Sequence, residues 1–257
     1  MSTTLVLGDR EVPRIGLGTN RLSQSDEHVA FIREAVAAGI RHIDTAHLYT
    51  GGDSERTIGA ALAPASDDVV VGTKGGYRPG EGRPDVLLAQ VDQSLRSLGV
   101  DSIALYYLHR VDPETPLEES LGALEECRQA GKIRHIGISD VSVDQIERSR
   151  RVVDIAAVQN HYSLTERRYD DEVDYCARES IVFVPYFPLR GDTPAAVGEI
   201  AERHGATSSQ IALAWLLRRA PNMLPIPGTL SVAHARENLD ALNIELTDEE
   251  FKTLRGG

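Results

Sequence analysis

Short runs of β-branched and aliphatic residues begin near Ile15, Arg41, Val69, Ile103, Ile133, Ile155, Ile181 and Met223, and stretches with helical periodicity separate them. By subtraction the starts lie 26, 28, 34, 30, 22, 26 and 42 residues apart, close to the ~30 residues of one strand-helix unit. Eight such units predict an α/β fold, a (β/α)8 TIM barrel. The helices carry their own signals: in PDVLLAQVDQSLRSLG, Leu87, Val91, Leu95 and Leu98 share one face and Gly99 follows as a stop. PLEESLGALEECRQAGK ends the same way at Gly131. The long last interval has room for two helices, 194–204 and 208–219. Ahead of the first unit, TLVLGDREVPRI reads as a hairpin turning at Gly8-Asp9, placed to close the bottom of the barrel. No linker-like or low-complexity tract interrupts the pattern, so residues 1–257 are expected to form one barrel domain rather than an open doubly wound sheet.

Composition narrows the function. The chain is 41% hydrophobic and 26% charged, enough to bury a core. With 27 Lys and Arg against 39 Asp and Glu, its net charge of −12 argues against nucleic acid or an anionic membrane as partner. Cys127 and Cys176 have no metal-ligand or redox spacing and read as inert buried thiols. With no signal-like or membrane-spanning run, a cytoplasmic location is expected.

In an α/β barrel the chemistry gathers at the carboxyl ends of the strands. Three neighbouring runs end there in Asp44, Lys74 and His109, and Tyr49 follows Asp44 in the next loop. Singly, each has an ordinary structural reading: a capping Asp, a packing Tyr, a core His. Together they form a proton-delivery set for a carbonyl oxygen. A phenol is a reluctant acid near pH 7, a nearby ammonium favours its phenolate, and a carboxylate keeps that ammonium charged. On this reading Lys74 lowers the Tyr49 pKa, Asp44 pairs with Lys74, and His109 orients the substrate oxygen.

The segments RHIDTAHLYTGGDSERTIGAAL, VVVGTKGG, LYYLHR, GKIRHIGISD, VQNHYSL, VPYFPL, LAWLL and IPGTLSVAHARENL, in this order and spacing, resemble the aldo-keto reductase superfamily. The resemblance implies hydride transfer from a nicotinamide to an aldehyde or ketone, with Tyr49 as general acid, Lys74 and Asp44 activating it, and His109 orienting substrate. It implies that Ser139, residue 140 and Gln159 meet the nicotinamide carboxamide while Tyr186 stacks on the ring. It further implies that Thr229 and Ser231 meet the phosphates and Glu237 and Asn238 the adenine. NADPH is the expected cofactor, with NADH possible, because Gly228 and His234 stand where a Lys and an Arg commonly clamp the 2′-phosphate. Two further departures are Asp140, where Asn is common, and Phe187, where Ser is common.

The substrate is expected to be a small-molecule carbonyl in an open pocket rimmed by Leu48, Tyr77 and Arg110, and the protein a monomer. Two other readings remain: a noncatalytic nicotinamide-nucleotide redox sensor, and a metal-dependent barrel hydrolase. His42, Asp44 and His47 superficially suggest the latter, but their spacing matches no hydrolase site and no metal is expected.

Overall fold

The computed structural model describes residues 2–64, 68–191 and 194–255. It opens with the expected hairpin, β1 (Thr4–Leu7) antiparallel to β2 (Arg10–Pro13), whose turn needs the left-handed backbone of Gly8 at φ +64°. A parallel sheet follows, in spatial and chain order: β3 (Leu17–Gly18), β4 (His42–Asp44), β5 (Val70–Gly75), β6 (Ile103–Leu108), β7 (Ile133–Ser139), β8 (Ile155–Gln159) and β9 (Val182–Phe183). Around it lie α1 (Asp26–Ala37), α2 (Asp53–Leu62), α3 (Pro84–Leu98), α4 (Leu117–Gln129), α5 (Val143–Arg150), α6 (Asp170–Arg178), α7 (Ala195–His204), α8 (Ser208–Arg219), α9 (Val232–Asp240) and α10 (Asp248–Arg255). The two helices expected in the long last interval are α7 and α8. No helix among the described residues is long and apolar enough to cross a membrane.

The eighth run departs from expectation. Residues 223–228 close the barrel, yet they form isolated bridges to Phe183 and Gly18 rather than a regular strand. The cause is MLPIPG. Leu224 and Ile226 donate their N–H groups to Phe183 and Pro185, whereas Pro225 and Pro227 have none to donate and only accept, from Gly16 at 2.9 Å and Gly18 at 3.2 Å. Half of the ladder facing β3 is therefore missing while closure is kept.

Alternation along the strands sorts side chains into two apolar regions. Ile43, Tyr106, Ile136, Val158 and Phe183 point outward into the shell beneath the helices. Leu105, Tyr107, Ala157, Val184 and Ile226 point inward, where Leu7 and Val12 of the hairpin meet Val70, Val182 and Leu224 and seal the lower end. Neighbouring glycines leave the room that the Tyr107 ring fills in this interior. A Cβ on Gly137 would sit 2.3 Å from that ring, and one on Gly72 3.4 Å away. Gly137→Ala is accordingly expected to cost about 1–3 kcal/mol of stability through overpacking, read from urea unfolding.

Candidate active site

One step above Tyr107 the same alternation places the inward side chains at the strand mouths. Asp44 ends β4, Lys74 follows Gly72 by two on β5, His109 follows Tyr107 by two, and Ser139 and Gln159 end β7 and β8. The chain folds this way because a hydrophobic strand interior fixes the register, and the register then fixes which residues face the mouth.

Lys74 is fully buried. Its Nζ donates to Asp44 Oδ1 at 2.6 Å, to the Thr45 carbonyl at 2.7 Å and to the Tyr49 hydroxyl at 3.5 Å, so each of the three ammonium hydrogens has an acceptor. The other Asp44 oxygen accepts from Gln159 Nε2 at 2.8 Å. Burial pulls the Lys74 pKa down, but Asp44 and Tyr49 outweigh it and the net direction is upward, so the ammonium keeps its charge. Tyr49 enters on a 3₁₀ turn whose Thr50 and Gly51 take left-handed backbone conformations. The phenol differs from expectation. Burial, with Asp44 and Tyr77, raises its pKa by more than Lys74 lowers it, so the hydroxyl holds its proton more firmly than a free phenol.

His109 is pushed down to about 2 by burial, aided by the Lys74 and Arg110 cations, and is a neutral imidazole at any working pH. Its ring lies edge-on to Tyr49, with centroids 6.1 Å apart, and against Tyr77 at 4.8 Å. These groups line a cavity of about 210 Å³, together with the expected rim residues Leu48, Tyr77 and Arg110, and with Ser139, Asp140, Gln159, Tyr186 and Gly228.

The residues assigned to a nucleotide fall into two groups. Ser139, Asp140, Gln159, Tyr186 and Gly228 share the catalytic cavity. Thr229, Ser231, His234, Glu237 and Asn238 run from the adjoining loop into α9. Ser231 caps that helix by accepting from the His234 N–H, and Thr229 Oγ1 accepts from the Ser231 N–H at 3.0 Å. Asn238 is buried, while His234 projects into solvent. A helix N-terminus and two hydroxyls beside Gly228 suit an anion such as a nucleotide phosphate, so the residues present fit a dinucleotide.

Several contacts were not anticipated. Asp140, at φ +53°, does not stand free: Tyr186 Oη donates to its carboxylate at 2.9 and 3.2 Å, and Arg110 forms an ion pair with it. The opposite charges at two neighbouring strand ends were a legible signal for that pair. Arg21 donates to the Gly228 carbonyl at 3.3 Å, which only barrel closure makes possible. Ser54 binds both Thr19 and Thr45 and so braces the loop that carries the Lys74 acceptor. Phe187, the departure from Ser, adds an apolar wall, set against Tyr186 at 5.2 Å and His161 at 5.8 Å.

Among the described residues no three His, Cys, Asp or Glu side chains are grouped to hold a metal, and His42 Nδ1 is bonded to the Val70 carbonyl. Both cysteines are buried and free, with thiols pushed up by burial to about 11 for Cys127 and about 12 for Cys176.

The aldo/keto reductase family model matches residues 14–193 and 191–256. The chain belongs to the aldo/keto reductase family. It is 39% identical to pyridoxine 4-dehydrogenase of Escherichia coli K12, with 99% of this chain and 98% of that protein covered. Among solved structures it is similar to a thermostable aldo-keto reductase crystallised with the inhibitor epalrestat, at 34% identity and TM-score 0.92, with 99% of each chain covered. It is also similar to an aldo/keto reductase from Klebsiella pneumoniae in complex with NADP and acetate, at 30% identity and TM-score 0.91, covering 99% of this chain and 94% of that one. The parallel curled sheet is thus that of an aldo/keto reductase barrel, and the protein is an oxidoreductase.

Proposed function

We propose that this barrel, spanning residues 1–257 and acting as a monomer, reduces a small aldehyde or ketone with NADPH, using Tyr49 as the proton donor. The observation that carries the reading is the Tyr49 hydroxyl set 3.5 Å from a buried, Asp44-paired Lys74, with a neutral His109 on the same cavity.

The bound nucleotide supplies the hydride to the carbonyl carbon. Every other part of the reaction falls to the chain. His109, uncharged, donates a hydrogen bond to the substrate oxygen without competing as an acid. Tyr49 Oη gives that oxygen its proton as negative charge develops there. Lys74 then faces the phenolate that remains, and Asp44 holds the ammonium in place. Thr229, Ser231 and the α9 N-terminus receive the phosphates, and Glu237 and Asn238 the adenine. Gly228 and His234 provide no fixed cation for a 2′-phosphate, so the preference for NADPH over NADH is modest.

A panel of aldehydes and ketones, followed by loss of NADPH absorbance, tests this reading. Saturable turnover of at least one carbonyl is expected. Nucleotide binding with no turnover on any of them would favour the sensor reading instead.

The pH profile follows from the pKa directions. Tyr49 must be protonated to act, and its pKa lies above the ordinary value near 10. The rate of reduction is therefore expected to stay level from about pH 6 to about pH 9 and to fall above about pH 10. His109 contributes no limb, since it loses its proton near pH 2.

A further inference from the structure

We infer that Arg110 and Asp140 act as an electrostatic pair that sets the pocket's relative affinity for oxidised and reduced nicotinamide nucleotide. The inference rests on the proposed function, because it needs a nicotinamide ring in the cavity that Tyr49 and His109 share with Asp140. A ring that passes hydride to a carbonyl held by Tyr49 and His109 has to touch that carbonyl, and a cavity of about 210 Å³ leaves it no distant place to lie.

The oxidised ring carries a positive charge and the reduced ring carries none, while the phosphates are the same in both. A fixed charge beside the ring therefore changes the ratio of the two affinities, and contacts at the far end of the nucleotide cancel from it. Asp140 supplies such a charge. Its side chain is 6% exposed, its carboxylate is held by Tyr186 and Arg110, and its backbone is turned into the left-handed region. Arg110 supplies the opposite charge, but its side chain is 42% exposed and lies over the Tyr77 ring at the rim. Water screens the outer charge more than the buried one. The pair thus leaves a net negative field in the pocket, weaker than a lone carboxylate would give and stronger than an amide. This field favours the oxidised nucleotide on the enzyme without altering the overall equilibrium of the reaction.

The charged and titratable groups facing Asp140 are Arg110 after β6, His161 after β8, Tyr186 after β9, and Arg168 and Tyr169 ahead of α6. Burial pushes His161 down, so at pH 8.5 it is neutral, and Arg168 is the further cation that acts on Asp140.

The test is fluorescence titration of parent and variants with NADP⁺ and NADPH at pH 8.5, reading the ratio Kd(NADP⁺)/Kd(NADPH). Asp140→Asn leaves the cation uncompensated and should raise the ratio by about tenfold. Arg110→Leu leaves the carboxylate uncompensated and should lower it by about threefold, less than the Asp140 effect because water screens the exposed cation. Arg110→Lys keeps the charge and should stay within about twofold of the parent, while the double variant Arg110→Leu with Asp140→Asn removes the net negative field and should raise the ratio by about threefold, the difference between the two single effects, and also controls for loss of fold. Single variants that weaken both nucleotides by the same factor would overturn the inference, since that is what a merely structural pair would do. Failure of the parent to bind either nucleotide would overturn both this inference and the proposed function. Normal binding with unmoved ratios would overturn this inference alone.

Discussion

Tyr49→Phe is expected to lower kcat/KM for carbonyl reduction by about 10²- to 10⁴-fold, the range for loss of a positioned general acid. The substitution removes one oxygen and keeps the ring, so the cavity wall and the edge-on contact with His109 survive. Lys74 keeps its bonds to Asp44 and to the Thr45 carbonyl, and with them its buried charge. Nucleotide affinity should therefore change by less than about threefold, placing the loss in the chemical step. Steady-state kinetics on the best carbonyl, paired with fluorescence titration of NADPH, separates the two quantities. Parental turnover in the Phe variant would remove Tyr49 from the mechanism.

Lys74→Met should damage both rate and stability. Without the ammonium, Asp44 is a nearly buried carboxylate whose remaining side-chain partner is the Gln159 amide. Stranding one partner of a buried ion pair costs about 3–5 kcal/mol, and urea unfolding should register a loss of that order. The rate of reduction should fall by about 10²-fold or more, because the phenolate left after proton transfer loses its counter-charge. The shift of the pH profile has a definite sign. Burial already holds the phenol above its ordinary pKa, and Lys74 opposes it. Removing Lys74 drives that pKa further up, not back toward the free value, so the residual activity should lose its alkaline limb to still higher pH. Unchanged kinetics in a stably folded Met variant would contradict the assigned role.

The two strongest expectations from sequence concerned the quartet and the hairpin, and both rest on local pattern. Strand alternation places Asp44, Lys74 and His109 two residues beyond His42, Gly72 and Tyr107, so an inward barrel interior predicts an inward mouth. Gly8-Asp9 between two alternating runs carries its own turn chemistry. The pocket polarity was harder to read. Tyr49 next to an ammonium suggests a lowered pKa, but how much water reaches the hydroxyl depends on Tyr77, His109 and the 3₁₀ turn packing around it, and burial prevails.

By itself, then, the sequence determined the alternation of strands and helices, the face each strand turns inward, and hence the acid, cation, phenol and imidazole that gather at one end. Periodicity is a local property, and a hydrophobic core enforces it. Tertiary structure alone decided what depends on the meeting of distant segments. The 223–228 segment closes against Gly16 and Gly18 with half a ladder, bringing Arg21 to Gly228. Gln159 spends its amide on Asp44, and Arg110 and Tyr186 converge on Asp140. Those partnerships join segments that are 30 to 209 residues apart in the chain, and only the curvature of the closed sheet brings them within hydrogen-bonding distance.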